Sequence, residues 1–403
     1  MSSPAQYNTP KWEVADIFRE HGAMYRQENK LTGKQHKVMH AITTCRTATH
    51  GIHIDQCRRC GHTQEDYNSC RDRHCPKCQG VARKKWVSQR IEDILPVAHY
   101  HVVFTLPHLL HDIVSHNRRL IYNLLFSCSA ATLASFGRDP KWLGGEMGFY
   151  GVLHTWGQTL WQHPHVHYVV PGGGLTQDGR WVEPRYSAKF LFPVRALSKV
   201  FRGKFIAGLK AAHARGDLVI PPCNQALATQ VGFEGFIDRV VARNWVVYCK
   251  PPFGNAQEVV NYIGRYTHRV AISNHRILAV NGQGVQFRYK DYRSSRTCWR
   301  TMQLAPPEFI RRFLLHVLPP GFHKIRHFGF LANGRRKTNV AHIGMLLSHR
   351  MIPDESAAQK DSGRLCPVCE KGRVRSVAIF DGLGRLLSRL LPPGTNRYAF
   401  DTS

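Results

Sequence analysis

The sequence predicts an α+β protein: a central antiparallel sheet flanked by helices, preceded by a helical metal-binding segment and followed by a basic tail. Three observations predict it. Helical patterns fill the first 44 residues, two CxxC pairs follow, and only then do strand-like runs alternate with helices. The connection GQTLWQ between two such runs is hairpin-sized, which favours antiparallel pairing over regular βαβ winding. In HPHVHYVVPGGG (163–174) histidines recur at alternate positions, as on a strand. His163, His165 and His167 then share one face, and Val166 and Tyr168 the other.

In chain order, WEVADIFREHGAMYRQ and KQHKVMHAITT read as helices separated at Gly33. The cysteine-rich segment runs to about residue 79. VARKKWVSQRIEDIL is a basic amphipathic helix that ends before Pro96. AHYHVVFTL (98–106) is a strand stopped by Pro107, and a long helical stretch covers 108–136. GEMGFYGVLHTW (145–156) and HPHVHYVVP are antiparallel neighbours. LTQDGRWVEP is a small hairpin turning at Asp178-Gly179. Helix 192–216, strand 243–250 and helix 256–269 come next, then the strand-like runs RILAVNG, VQFRYKDY and SSRTCWRTMQL. PPEFIRRFLLHVL starts with prolines suited to a helix N-terminus. The tail beyond about 350 reads as an appendage, and no internal repeat is evident.

With 403 residues and 43% hydrophobic content, the chain can bury a core in two or three domains. Its charge is lopsided: 56 Lys+Arg face 27 Asp+Glu, a net +29 with a pI near 10. That excess points to a polyanion, most often nucleic acid, with an anionic membrane surface as the alternative. The most apolar run, LIYNLLFSCSAATLASF (120–136), is short for a bilayer and broken by Asn and Ser, so it reads as a buried helix. The polar opening MSSPAQYNTPKWEV does not read as a signal peptide. The expectation is a cytoplasmic protein with no membrane partner, whose cysteines bind metal or stay reduced.

Six of the 12 cysteines lie between positions 45 and 78. Cys57-x-x-Cys60 and Cys75-x-x-Cys78, separated by 14 residues, predict one four-thiolate Zn²⁺ site. Cys45, His50, His53, Cys70 and His74 are left over; they form a second zinc site, with Cys45, His53, Cys70 and His74 the candidate ligands, or some are simply buried. Cys366-Pro-Val-Cys369 is either half a ribbon that borrows partners or a turn with two reduced thiols. Cys128, Cys223, Cys249 and Cys298 read as core residues.

Two constellations carry chemistry. His165 and His167 on one strand face, with His154 on the preceding strand, are placed to converge on one metal ion, with Gln158 in the connecting hairpin as the fallback third ligand. In NYIGRYTHR, Tyr262 and Tyr266 are four apart on a predicted helix and share a face flanked by Arg265, His268 and Arg269. Imidazole-held metal and paired phenols suggest phosphoryl transfer through a covalent phosphotyrosine. The bond energy is then conserved without ATP, and no GxxxxGK[ST] loop is found.

CRRCG, NSCRDRHCPKCQG, LHTWGQTLWQHPHVHYVVPGGG, NYIGRYTHR and FIRRFLLHVLPPGFHKIRHFGFLA together resemble the rolling-circle HUH transposases of bacterial insertion sequences, the two-tyrosine class with an N-terminal zinc-binding domain. The matching pieces span about residues 40–335. The resemblance implies an HUH nuclease core and nicking and joining of single-stranded DNA at insertion-sequence ends and in target DNA. It implies a 5′-phosphotyrosine and a free 3′-OH, His165 and His167 as ligands, Tyr262 and Tyr266 as nucleophiles, and catalytic Mg²⁺ or Mn²⁺ beside structural Zn²⁺. It places the protein in the bacterial cytoplasm at the nucleoid. The expected domains are a zinc-binding DNA-recognition domain (1–95), a catalytic domain (96–305) and a basic C-terminal region (306–403).

Arg58, Arg59, Arg71, Arg73 and Lys77 would contact the element's end, continued by Arg83, Lys84 and Lys85. Arg265, Arg269, Arg311, Arg312, Lys324, Arg326, Arg335, Arg336 and Lys337 add basic surface. Trp156, Trp161 and Tyr168 are candidate stacking faces or core residues. The rival readings are a plasmid replication initiator or relaxase with the same chemistry, a zinc-dependent DNA-binding protein without catalysis, and a histidine-metal hydrolase. The oligomeric state is not indicated.

Overall fold

The computed structural model describes residues 10–91, 94–185, 191–250, 258, 264, 270–292, 298–347 and 364–389, with the backbone alone for 81, 82, 85, 89 and 91. These residues form two compact units, one of 13–79 with the C-terminal segment, the other of 10–12 with 80–347.

The first unit opens on the two expected helices, Val14–Glu28 and Gly33–Thr44. Thr32 caps the second: its hydroxyl accepts from the Gln35 N–H, and the Gln35 side chain accepts from the Thr32 N–H. A hairpin follows, β1 (Ile52–Cys57) and β2 (Thr63–Tyr67).

The second unit begins at helix Gln79–Ile91 and contains the central sheet. Its strands are β3 (His99–Thr105), β4 (Phe149–Trp156) and β5 (Gln162–Pro171), then the short pair β6 (Gly174–Leu175) and β7 (Trp181–Val182), and then β8 (Val247–Lys250). β9 (Ile277–Asn281), β10 (Gly284–Asp291) and β11 (Cys298–Leu304) make a separate three-stranded antiparallel sheet. β12 (Ile325–Phe328) returns to the central sheet, whose order is β12-β4-β5-β3-β8, antiparallel throughout. The fold is therefore α+β on an antiparallel sheet, as the sequence predicts.

Alternation assigns the two faces. Tyr100, Val102, Phe104, Phe149, Leu153, Val166, Tyr168 and Val170 point to one side and are buried with helices Arg118–Arg138, Val194–Ala214 and Gln230–Val241. Arg118–Arg138 is long and apolar enough to cross a bilayer, yet Ile121, Leu125, Phe126 and Leu133 are core residues. On the other side, Tyr150, Val152 and Val169 pack with Trp86, Leu95, Phe330 and Leu331. That cover leaves the histidine end of the face open.

Several expectations change. The helical stretch 108–136 breaks at Asn117, whose side-chain amide donates to the carbonyls of Ile113 (3.0 Å) and Val219 (2.8 Å) while its carbonyl accepts from Val219 N–H (2.8 Å). β12 was not expected, nor was helix Gln230–Val241, although its buried Phe233, Phe236, Ile237 and Val240 recur at helical spacing. The tail is no appendage: β13 (Arg364–Leu365), β14 (Arg373–Phe380) and β15 (Leu386–Arg389) join the first unit, with β14 antiparallel to β1. The expected boundaries at 95 and 305 accordingly give way to a zinc-binding unit made from both ends of the chain and a second unit reaching 347. The predicted helix 256–269 lies outside the described residues apart from 258 and 264.

Gly151 faces the Tyr168 ring so closely that a Cβ there would lie 2.5 Å from a ring carbon. Gly151→Ala is expected to destabilise the central-sheet unit by about 1–3 kcal/mol, read as a lower denaturant midpoint at unchanged slope.

Candidate functional site

β4 and β5 pair so that His154 sits directly opposite His165. His167, two residues on, shares that face. Their rings lie 4.4–5.2 Å apart between centroids, and one nitrogen from each falls within 4.8 Å of the others. A register shift between His154 and Trp156 turns the Trp156 ring onto His154 at 4.6 Å. The triad faces an open cleft of about 800 Å³.

Hydrogen bonding orients the rings. His165 Nδ1 donates to the His163 carbonyl at 2.6 Å, which leaves Nε2 as the lone-pair nitrogen. His167 Nδ1 lies 2.7 Å from Nε2 of His101 on β3; with His167 as the donor, its Nε2 is the lone-pair nitrogen. Burial and neighbouring His163 push the His165 pKa down to about 3, and burial holds His167 well below 6.5. Neutral imidazoles are the form that ligates metal. Three such donors suit a borderline divalent cation.

His101 was missed, although HYHVV repeats the same alternation as HPHVH. It acts on His167 in the manner of an outer-sphere partner that fixes a ligand's tautomer. Gln158 lines the same cleft: its backbone carbonyl accepts from the Arg276 guanidinium, and its side-chain oxygen lies 3.5 Å from the Lys290 N–H. Tyr168 is on the helix side, fully buried, with its hydroxyl 2.7 Å from Ser129 Oγ, so it is not a stacking face in the cleft. Tyr262, Tyr266, Arg265 and Arg269 lie outside the described residues.

The thiols assemble differently from the expected Cys57–Cys60–Cys75–Cys78 set. Cys75 and Cys78 meet Cys45 and Cys70, with Sγ separations of 3.5 Å (Cys45–Cys78) and 3.6 Å (Cys70–Cys78). Cys57 and Cys60 meet the tail knuckle, with 3.8 Å between Cys57 and Cys369 and 3.6 Å between Cys60 and Cys366. A tetrahedral site with Zn–S near 2.3 Å has S···S edges of about 3.8 Å, so both sets fit Zn²⁺.

The cause of the exchange is the β1–β14 ladder: Cys57 pairs with Val374, which brings the 366–372 turn beside the 57–61 turn. Gly372 permits the approach, since a Cβ there would lie 2.4 Å from Cys57 Sγ. Gly372 and Lys371 N–H groups pull the Cys369 pKa down to about 6. His53 and His74 are not in either set. His53 Nδ1 is bonded to Asn68 Oδ1 (3.1 Å), and His74 is buried with Nδ1 2.8 Å from Asp72.

Arg58, Arg59, Arg71 and Arg73 are exposed, whereas Lys77 is ion-paired with Glu13 at 2.6 Å. Arg326 packs on the helix side against Phe126 and Phe322 and bonds Asn123, while Arg312 is buried and, with Arg311, paired to Glu308. These three are framework more than open basic surface.

Residues 17–106 match the family described as "Transposase zinc-binding domain", and residues 148–339 match that described as "Putative transposase". The "Putative transposase y4qJ" of Sinorhizobium fredii is 45% identical over 385 residues, covering 92% of this chain and 96% of its own. The chain belongs to this transposase family. The transposase is also 28% identical over 310 residues to the "Transposase for insertion sequence element IS801" of Pseudomonas savastanoi pv. phaseolicola, covering 76% of this chain and 72% of that one. These relatives bear out the resemblance to rolling-circle insertion-sequence transposases. A metal-bound structure of the conjugative relaxase TrwC with oriT DNA aligns over 42% of this chain and 70% of its own, at 11% identity and a TM-score of 0.23. That likeness is too distant to bear on this transposase.

Two zinc equivalents per chain are expected by atomic emission, falling to one in Cys366→Ser and to one in Cys70→Ser; a wild type with a single equivalent would contradict the two-cluster assignment. Stability is also expected to depend on pH. Burial pushes His99 and His316 down to about 4 from the ordinary 6.5. The unfolded chain takes up these protons first as pH falls. Their contribution is therefore whole above about 6.5 and is lost between about 6.5 and 4, by about 1.4 kcal/mol per imidazole per pH unit. Urea midpoints measured across that range should fall, and less steeply in His99→Asn.

Proposed function

We propose that this transposase nicks and rejoins single-stranded DNA at the ends of its insertion sequence and in target DNA, through a 5′-phosphotyrosine. The observation that carries the reading is the triad: His154 and His165 in direct cross-strand register, His167 on the same face, at the wall of a cleft large enough for a nucleic-acid strand. The net +29 charge suits a polyanionic substrate. Membership of a transposase family supplies the setting, strand cleavage and transfer in the cytoplasm.

In this reading His154, His165 and His167 hold Mg²⁺ or Mn²⁺, with imidazole ligation favouring Mn²⁺. Bound there, the cation would polarise the scissile phosphodiester and offset developing negative charge. The chain's residues do the rest. His101 keeps His167 in the ligating tautomer. A phenol oxygen, of Tyr262 or Tyr266, forms a bond to phosphorus; the P–O3′ bond breaks, and the proton leaving the phenol balances the one gained by the 3′ oxygen. Attack by a 3′-OH on the phosphotyrosine reverses these changes and rejoins strands. One turn of helix, about 6 Å, separates residues four apart, so one tyrosine could hold a strand end while the other attacks. The exposed Arg58, Arg59, Arg71 and Arg73 of the zinc-binding unit are assigned to the element's end.

The test is denaturing electrophoresis of a labelled single-stranded oligonucleotide spanning the element's end, with Mn²⁺. Wild type should yield a protein-linked band, and Tyr262→Phe/Tyr266→Phe should yield none. His165→Ala should lose the band while keeping oligonucleotide affinity within about threefold. An adduct formed by the double tyrosine variant would overturn the nucleophile assignment, and free product without any adduct would favour a hydrolase.

A further inference from the structure

The loop between β4 and β5 is held by bonds that serve no ladder. The Arg276 guanidinium donates to the Gln158 carbonyl, Arg312 Nη1 to Thr159 at 3.0 Å, His316 Nε2 to Leu160 at 2.9 Å and Gly157 N–H to Trp161 at 2.9 Å. Four successive carbonyls are thus fixed. His316 is itself set by Thr155, whose hydroxyl lies 3.1 Å from Nδ1. Within this clamp Leu160 is buried in the left-handed backbone region, at φ 63°. A branched residue there is strained, and such strain persists only where surrounding contacts impose it.

The consequence is the presentation of Trp161. Its neighbours Leu160 and Gln162 are buried, yet Trp161 remains 49% exposed and lines the cleft that holds the triad. Arg312 sits over the indole at 4.3 Å and Arg311 at 5.4 Å. Both guanidinium groups are paired to Glu308 at 2.6 Å, and Arg311 and Arg312 together draw the Glu308 pKa down to about 2, so the cations are fixed. A core tryptophan would be covered, and an incidental surface one would not need a clamped, strained loop.

We propose that Trp161 is a nucleobase-stacking platform that positions a single-stranded DNA substrate beside the histidine triad. The ligand is one unpaired base, held by its π-face and therefore with little sequence preference. The guanidinium groups, held by Glu308, fix the ring in place. The inference rests on the cleft being the DNA-cleavage site. Its test is run without cleavage, so the two can fail separately.

Full-length wild type, Trp161→Ala and Trp161→Phe are titrated in EDTA, at one fixed salt concentration, with fluorescein-labelled dT12 and with a 12-mer of abasic tetrahydrofuran residues. Trp161→Ala should weaken dT12 binding by roughly 5- to 100-fold, leave the abasic strand within about twofold, and so remove the preference for bases. Trp161→Phe should stay within about threefold of wild type on dT12. Equal loss on both strands, no loss on dT12, or a phenylalanine variant as weak as alanine would each overturn the platform. Because the indole is half exposed, Trp161→Ala is expected to fold, which the unfolding midpoint checks.

Discussion

The site depends on one constraint, the pairing of β4 with β5 that sets His154 against His165. Side chains on a strand alternate, so a slip of one residue would send two of the three imidazoles into the apolar layer under the sheet. That layer resists the slip. Tyr168, Val166 and Phe104 are fully buried beneath it, Gly151 lets the Tyr168 ring lie flat under β4, and Ser129 fixes the ring's hydroxyl. The chemistry proposed for one face is thus enforced by packing on the other. A third strand contributes as well: His101 of β3 reaches His167 across the sheet, so the triad's geometry draws on three neighbouring strands.

Part of the zinc-binding unit is held on a different principle. Its tail cluster has scarcely any apolar support, with Cys57, Cys366 and Val374 forming a small buried group beside Cys369. Coordination takes over what a hydrophobic core does elsewhere. The second cluster lies where the end of helix Gly33–Thr44 meets the 70–78 loop. There Asp72 ties the loop down, accepting from Lys34 at 3.2 Å and from His74 at 2.8 Å. His74, which resembles a ligand in the sequence, is one of these fixings.

What the sequence disclosed follows the range of the contacts involved. HPHVH, and His154 eleven residues before it, are joined by one short hairpin, so periodicity alone located the triad and its face. The α+β class and most element positions were legible for the same reason. The zinc pairing was legible only in part: the Cys366–Cys369 half-ribbon that borrows partners was among its readings, but which partners it borrows was not. Two knuckles 14 residues apart suggested one site, but Cys57 and Cys60 are satisfied by a turn some 300 positions away, through a strand pairing that leaves no mark in local pattern. β12 was hidden because its four residues, IRHF, alternate too briefly to register. Arg312 and Arg326 read as surface charge because their packing partners, Trp161 and Phe126, are distant in sequence.

The tail's place in the β1 sheet also has a meaning for synthesis. Cys60 and Cys366 are 306 positions apart, and at 5–20 residues per second the ribosome needs roughly 15–60 s to travel between them. Throughout that interval the nascent 57–61 turn has half its donors. A prematurely terminated chain, even one long enough to include the whole histidine cleft, would never close that cluster. Completion of translation is thereby made a condition for a finished zinc-binding unit.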